Sequence, residues 1–301
     1  RRNEPGANED VAAMTRLPRL LLPIALLWLA SPGHAASKES APSAETPVPA
    51  DLQAAVTRAE FLGRQLFLHD RAAWLATDAM LADKRMRPLQ DRIGGWITEP
   101  SALGVRVVFF SRGDAPVSLY EIDVDEGERL SDAVVDSSRP LTDAQRAQVR
   151  ARALAQAQDF GGCAPEYNTV ALPSTDGFRV YMMPGFTRER VYPLGGYQLY
   201  EIDAAGETVL SSRAFTRSCI DLDETRKPDQ AAGERGEPVG QLFTHLLDPQ
   251  PTEIHVFVSL YARQQMMILT TPNRRAWRVV HGTIAAMELP AGAPSDPLSK
   301  P

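Results

Sequence analysis

Four carboxylates recur within one short motif, Leu119-Tyr120-Glu121-Ile122-Asp123 and Leu199-Tyr200-Glu201-Ile202-Asp203. Side chains alternate along a strand, so Glu121 and Asp123 share a face of theirs, as do Glu201 and Asp203. Positions two apart lie roughly 6.6–7 Å from each other. If the two copies met about a pseudo-twofold axis, the four acids could hold Ca²⁺, which takes six to eight oxygen ligands. A carboxylate pair at that spacing also suits inverting glycoside hydrolysis. The plainer reading follows from the alternation itself. Tyr120, Ile122, Tyr200 and Ile202 cover a core while the acids face water, because charged side chains are rarely buried unless paired.

Other residues could also do chemistry. His245, His255 and His281 could form a zinc site, but their spacings lack the tight pairs of known sites. Ordinary structural histidines are the plainer expectation, and neither a metal nor a cofactor is expected. His69 adjoins Asp70 on a helix. Cys163 and Cys219 are the two cysteines. Outside the cytoplasm they are expected to form a disulfide, which would stabilise the fold by about 4 kcal/mol. As free thiols, one of them could serve as a nucleophile beside a base. The chain lacks a Gly-x-Ser-x-Gly elbow, a His-Glu-x-x-His pair, a Walker loop, a dinucleotide fingerprint and a Cys-x-x-Cys pair. Arg112-Gly113-Asp114 is most simply a turn.

Elements must position these residues. From Asp51, a plausible N-cap, Leu52, Val56, Ala59, Leu62 and Leu66 recur at helical spacing. Asp70 could cap a second stretch carrying Ala73, Ala76 and Met80, with Pro88 ending it. Strands are expected over 96–98, 105–110, 117–124 and 130–135. Thr142 and Gln145 have capping-box spacing, with Val149, Ala153 and Leu154 able to face a core. Gly161-Gly162 stops that helix. Strands are then expected over 168–172, 178–183, 197–203 and 208–216. Each stretch reads helix, strand, turn, strand, loop, strand, turn, strand, so the pattern predicts an internal duplication. Residues 241–247 suit either a helical turn or a strand. A three-stranded β-meander is expected from 254–261, 265–271 and 277–284. There His255 would share a face with Phe257 and Tyr261, and His281 with Trp277 and Val279.

The expected fold class is α+β: two similar helix-plus-antiparallel-strand units, then a C-terminal three-stranded β-meander. The corresponding division is an upstream extension or wrongly assigned start (1–13), a signal peptide (14–35), a disordered tether (36–50), unit 1 (51–140), unit 2 (141–222), a linker (223–238), the meander (239–288) and a disordered tail (289–301). The signal peptide rests on Met14, Arg16 and Arg19, an apolar run over 20–30, and small residues Gly33 and Ala35 before a cut near Ala35. The run is shorter than the roughly 20 residues of a spanning helix, and no other segment approaches that length. The chain of 301 residues has a formal charge of -6. Removing residues 1–35 takes away four basic and three acidic residues, which moves the charge to -7. An acidic chain argues against nucleic acid as a partner.

Cys163, Tyr167-Asn168-Thr169-Val170, Pro173, Gly195-Gly196 and Ser218-Cys219 resemble a pattern of hypothetical exported proteobacterial proteins with no assigned activity. A similar look attaches to His69-Asp70-Arg71 with Trp74, and to Pro251-Thr252-Glu253 before His255. The resemblance implies export and a single fold, and carries no mechanism. The expected function is a non-catalytic periplasmic or secreted protein that binds an envelope protein or a cell-wall or carbohydrate ligand. The alternative is a periplasmic hydrolase using the repeated acids. A hydrolase should place Glu121 or Glu201 in a concave pocket with a raised pKa. A binding module should show an apolar or aromatic patch.

Overall fold

No proline interrupts the chain between Pro49 and Pro88, and the apolar spacing there persists for eight turns. In the computed structural model, which describes residues 44–225 and 241–288, this stretch is one helix, α1 (Gln53–Ala82). It runs straight through Asp70, which caps nothing. Asp costs only a few tenths of a kcal/mol relative to better helix formers, too little to break a helix buried along one side. The first half of α1 packs Val56, Leu62 and Leu66 into one core, and the second half packs Ala72, Ala76 and Met80 into another. Two 3₁₀ turns, Lys84–Met86 and Gln90–Arg92, follow.

The first antiparallel meander is β2 (Ile93–Pro100), β3 (Gly104–Ser111), β4 (Ser118–Asp125) and β5 (Val134–Val135), in that order across the sheet. Next comes α2 (Asp143–Gln156), opened by the expected capping box between Thr142 and Gln145. Its core face is Ala147, Ala151 and Ala155; Ala153 is exposed. A second meander uses β6 (Tyr167–Ser174), β7 (Gly177–Pro184), β9 (Gln198–Asp203) and β10 (Val209–Ala214). The loop inside it carries β8 (Val191–Pro193), which pairs with β11 (Asp221–Asp223). Gln148 of α2 joins the two sheets by donating to the carbonyls of Thr98 and Ala171, at 2.8 and 2.9 Å.

The C-terminal region departs from the expected three-stranded meander. Residues 254–261 are not a strand but most of helix α3 (Glu253–Ala262). The segment is apolar on every side because the helix is buried on nearly every side, so its letters carry no helical period. Thr252 starts it, with the Thr252 N–H donating to His255 Nδ1 at 3.0 Å. The strand expected over 277–284 is two strands, β14 (Arg275–Val280) and β15 (Thr283–Met287), separated by a turn at His281-Gly282. With β13 (Met266–Thr270), β12 (Gln241–His245) and β1 (Glu45–Thr46) they form a sheet in the order β1-β15-β14-β13-β12. Residues 241–247 resolve as strand β12 (Gln241–His245), parallel to β13. The far edge is β1 (Glu45–Thr46), so the segment expected to be a loose tether already joins the sheet here. The segment expected to be a signal peptide, the residues before it, and the expected tail lie outside the described residues, as does most of the expected linker.

Helices α1 and α3 touch at Gly63. A Cβ at Gly63 would sit 2.4 Å from the Val256 Cβ, so only glycine admits this crossing. Around it Leu62, Leu66, Ile254, Phe257 and Trp277 share one core. Each such side chain contributes about 1.5–3 kcal/mol when fully buried. Mixed α+β is thus the observed class. Among the described residues no helix is long and apolar enough to cross a membrane.

Candidate binding site

The four acids of the repeated motif do not gather. Glu121 pairs with Arg139 at 2.7 Å and Asp123 with Arg106 at 3.0 Å. Glu201 pairs with Arg179 at 3.1 Å and borders a pocket of about 220 Å³ that Asp248 and Glu253 also line. Asp203 accepts the backbone N–H groups of Glu207 and Thr208, which hold its carboxyl below the usual range. The Arg106 guanidinium does the same for Asp123. Tyr120, Ile122, Tyr200 and Ile202 are buried, as alternation requires.

The matched letters are also out of step. Arg106 faces Asp123 across β3 and β4, whereas Arg179 faces Glu201 across β7 and β9. Gly104 faces Asp125, whereas Gly177 faces Asp203. Asp125 and Asp203 each accept, four residues on, a backbone N–H at 2.8 Å. By position in the sheet, then, Asp123 corresponds to Glu201 and Asp125 to Asp203, a shift of two residues from the motif. An even shift keeps every side chain on its own face, so the pattern survives it.

The three histidines part in the same way. His245 and His255 are neighbours, with ring centroids 4.9 Å apart. His245 Nε2 lies 3.0 Å from Asp248. His255 accepts at Nδ1, and burial pushes its pKa down to about 3. His281 is exposed in its turn with φ 48°. No group of three or more His, Cys, Asp or Glu side chains able to hold a metal occurs among the described residues. Cys163 and Cys219 form a disulfide across a separation of 56 residues.

A different acid sits where a ligand could reach it. A cavity of about 540 Å³ opens between α1, β2, the β6–β7 pair and α3. Asp70 lies at its wall, 8% exposed. Its carboxylate accepts the Tyr261 hydroxyl at 2.6 Å, and the Asn168 amide stands 3.5 Å away. Burial raises the Asp70 pKa; the hydrogen bonds from Tyr261 and Asn168 oppose that without overcoming it. The Tyr261 hydroxyl is pushed far up, by burial first and then by the Asp70 charge. His69 points away, with Nδ1 2.8 Å from Thr98 Oγ1, and burial pushes it down to about 4.

Aromatic rings form the rest of the wall: Trp74, Trp96, Phe186, Phe257 and Tyr261. Trp74 is 54% exposed. Each indole carries a guanidinium over its ring. Arg71 Cζ lies 4.2 Å from the Trp74 centroid, and Arg152 Cζ lies 4.1 Å from that of Trp96. Arg71 is also paired bidentately with Glu128 at 2.8 Å. Arg152 makes no such pair. Its Nε is sealed without a hydrogen-bond partner among the described residues, and burial pushes its pKa down to about 10.

The sequence offered one clue to Asp70. It occupies the apolar stripe of α1, between Leu66 and Ala73, where a core residue is due. His69-Asp70-Arg71 with Trp74 also formed part of the resemblance, and the structure puts Asp70, Arg71 and Trp74 on this cavity. Set against known proteins, the chain matches no family model, no curated protein and no solved structure.

Proposed function

We propose that this is an exported, non-catalytic binding protein that takes a small organic ligand in the cavity between α1 and α3. The observation that carries the reading is the cavity itself, with five aromatic rings around a buried, hydrogen-bonded Asp70. Its volume falls in the roughly 300–1,000 Å³ range of small-molecule sites, which are largely apolar with a few placed polar groups. The hydrolase alternative finds less support. Of the repeated acids it would use, none lines this cavity, and Glu121 and Glu201 are each paired with an arginine; Asp70 is the one carboxylate lining the cavity among the described residues, and glycoside hydrolysis takes two. Export is supported by the leader-like run over 14–35 and by the disulfide, which forms and persists outside the cytoplasm. We also read the chain as repetition of a helix-plus-meander unit. The shared strand path and the matching Gly104–Asp125 and Gly177–Asp203 pairs support that reading, and α3 with β13–β15 makes a third, shorter instance.

Native mass spectrometry of protein exposed to envelope extract tests the binding reading. A bound small molecule should appear, remain unchanged in mass over hours, and be lost in Trp74→Ala. A protein that stays empty, or one that releases an altered molecule, would overturn it.

A further inference from the structure

We propose that the ligand is a saccharide, seated with a pyranose face against Trp74 and its hydroxyls on Asp70 and Asn168. This rests on the binding reading and adds the ligand's class. The argument runs by elimination and then by fit. A cationic ligand is disfavoured because both indoles already carry a guanidinium over the ring, so a second cation would meet like charge across each. An anionic ligand finds no ready partner. Arg71 is engaged bidentately by Glu128, and Arg152 lies over the Trp96 ring with its Nε sealed. A purely aliphatic ligand would lay methylenes against Asp70 Oδ1 and the Asn168 amide, and stripping water from their unfilled hydrogen-bonding capacity is costly.

A pyranose ring alternates an apolar C–H face with a rim of hydroxyls, and the cavity alternates likewise. The indoles supply flat apolar platforms whose rings prefer partially positive edges over their faces. Asp70 Oδ1 has only the long 3.5 Å contact with Asn168, so it retains acceptor capacity for a hydroxyl. Asn168 is an amide with both donors and an acceptor. Thr77 donates to the Ala73 carbonyl at 2.7 Å, which leaves its oxygen free to accept.

The test is calorimetry and tryptophan fluorescence on the whole folded protein. Probes are cellobiose, maltose, N,N′-diacetylchitobiose and muramidase-digested peptidoglycan, with decanoate and choline as non-sugar arms. At least one saccharide should bind at millimolar concentration or below, and which one does identifies its source. Trp74→Ala and Asn168→Ala should each weaken it by about tenfold or more, with unchanged melting temperature for the exposed Trp74. Leu242→Ser, at an exposed site on β12, should bind as the parent does. Binding of decanoate or choline but no saccharide would overturn the class while leaving the cavity reading intact. Saccharide binding indifferent to both Trp74→Ala and Asn168→Ala would place it elsewhere and overturn the proposal. No binding of any probe, together with an empty native mass spectrum, would remove both.

Discussion

Asp123 on β4 and Asp70 on α1 carry the same carboxyl group in opposite surroundings. Asp123 lies on a sheet face opposite Arg106, whose charge draws its pKa down. Asp70 lies within a helix packed on a second helix, where burial pushes its pKa up. Recurrence of letters singled out the first, yet the packing of α1 on α3 poised the second. On that strand face acids pair with arginines that reach water, and such pairs contribute little singly. An acid on a buried helical stripe is retained against a desolvation cost, which is why it singles out a candidate site.

The largest expected effect comes from breaking the seam that keeps Asp70 from water. Gly63→Leu would drive a side chain into Val256 and should destabilise the protein by about 3 kcal/mol, the upper end of typical overpacking costs. Urea denaturation measures it. A loss much below that would mean α1 and α3 can separate cheaply, and Asp70 would then owe its environment to something else. Next in size is removal of the acid. Asp70→Ala leaves the Tyr261 hydroxyl without its acceptor and should cost about 2 kcal/mol. Asp123→Ala should cost under about 1 kcal/mol, because Arg106 is exposed enough to turn to water. Equal costs at the two sites would erase the contrast.

Acid titration sharpens it further, because the two sites should respond with opposite sign. Folded Asp70 holds its proton to a higher pH than the unfolded chain does. Between the unfolded value near 4 and that raised folded value, the native state binds more protons, so stability falls as pH rises through the window. Folded Asp123 gives its proton up more readily. Its contribution is complete above the unfolded value and is lost as pH falls through its lowered folded value. Hence Asp70→Asn should gain on the parent as pH rises above about 4, and Asp123→Asn should gain on it as pH falls below about 4. Urea midpoints taken across this range decide the matter, and slopes of the same sign would contradict the assignment.

What could be read from the letters was what local rules govern. The start of α2 at Thr142, the outward acids on β4 and β9, and the pairing of Cys163 with Cys219 were all legible. Capping and alternation act within a few residues, and two cysteines leave one intramolecular pairing. The reading failed at α3, where uniform burial removes the period that distinguishes helix from strand. It failed again at Asp70, whose partners Asn168 and Tyr261 lie 98 and 191 residues away. Such contacts arise only when α1, β6 and α3 meet, and nothing in the helix's own sequence names them.

The smallest effect tests the two-residue shift between β4 and β9. If position in the sheet governs, Arg179 should couple to Glu201 as Arg106 couples to Asp123, each by about 0.5 kcal/mol in a double-mutant cycle. Asp203 should then couple to neither arginine, because its carboxylate holds the turn after β9 and faces Gly177 across the sheet. If the shared letters governed, Asp203 would stand where Asp123 does and would show a cation partner. Coupling between Arg179 and Asp203 larger than that between Arg179 and Glu201 would put the motif back in register. The opposite result would leave the recurrence as a consequence of alternation on two sheets of like path, with cross-strand charge placed where an arginine already stood.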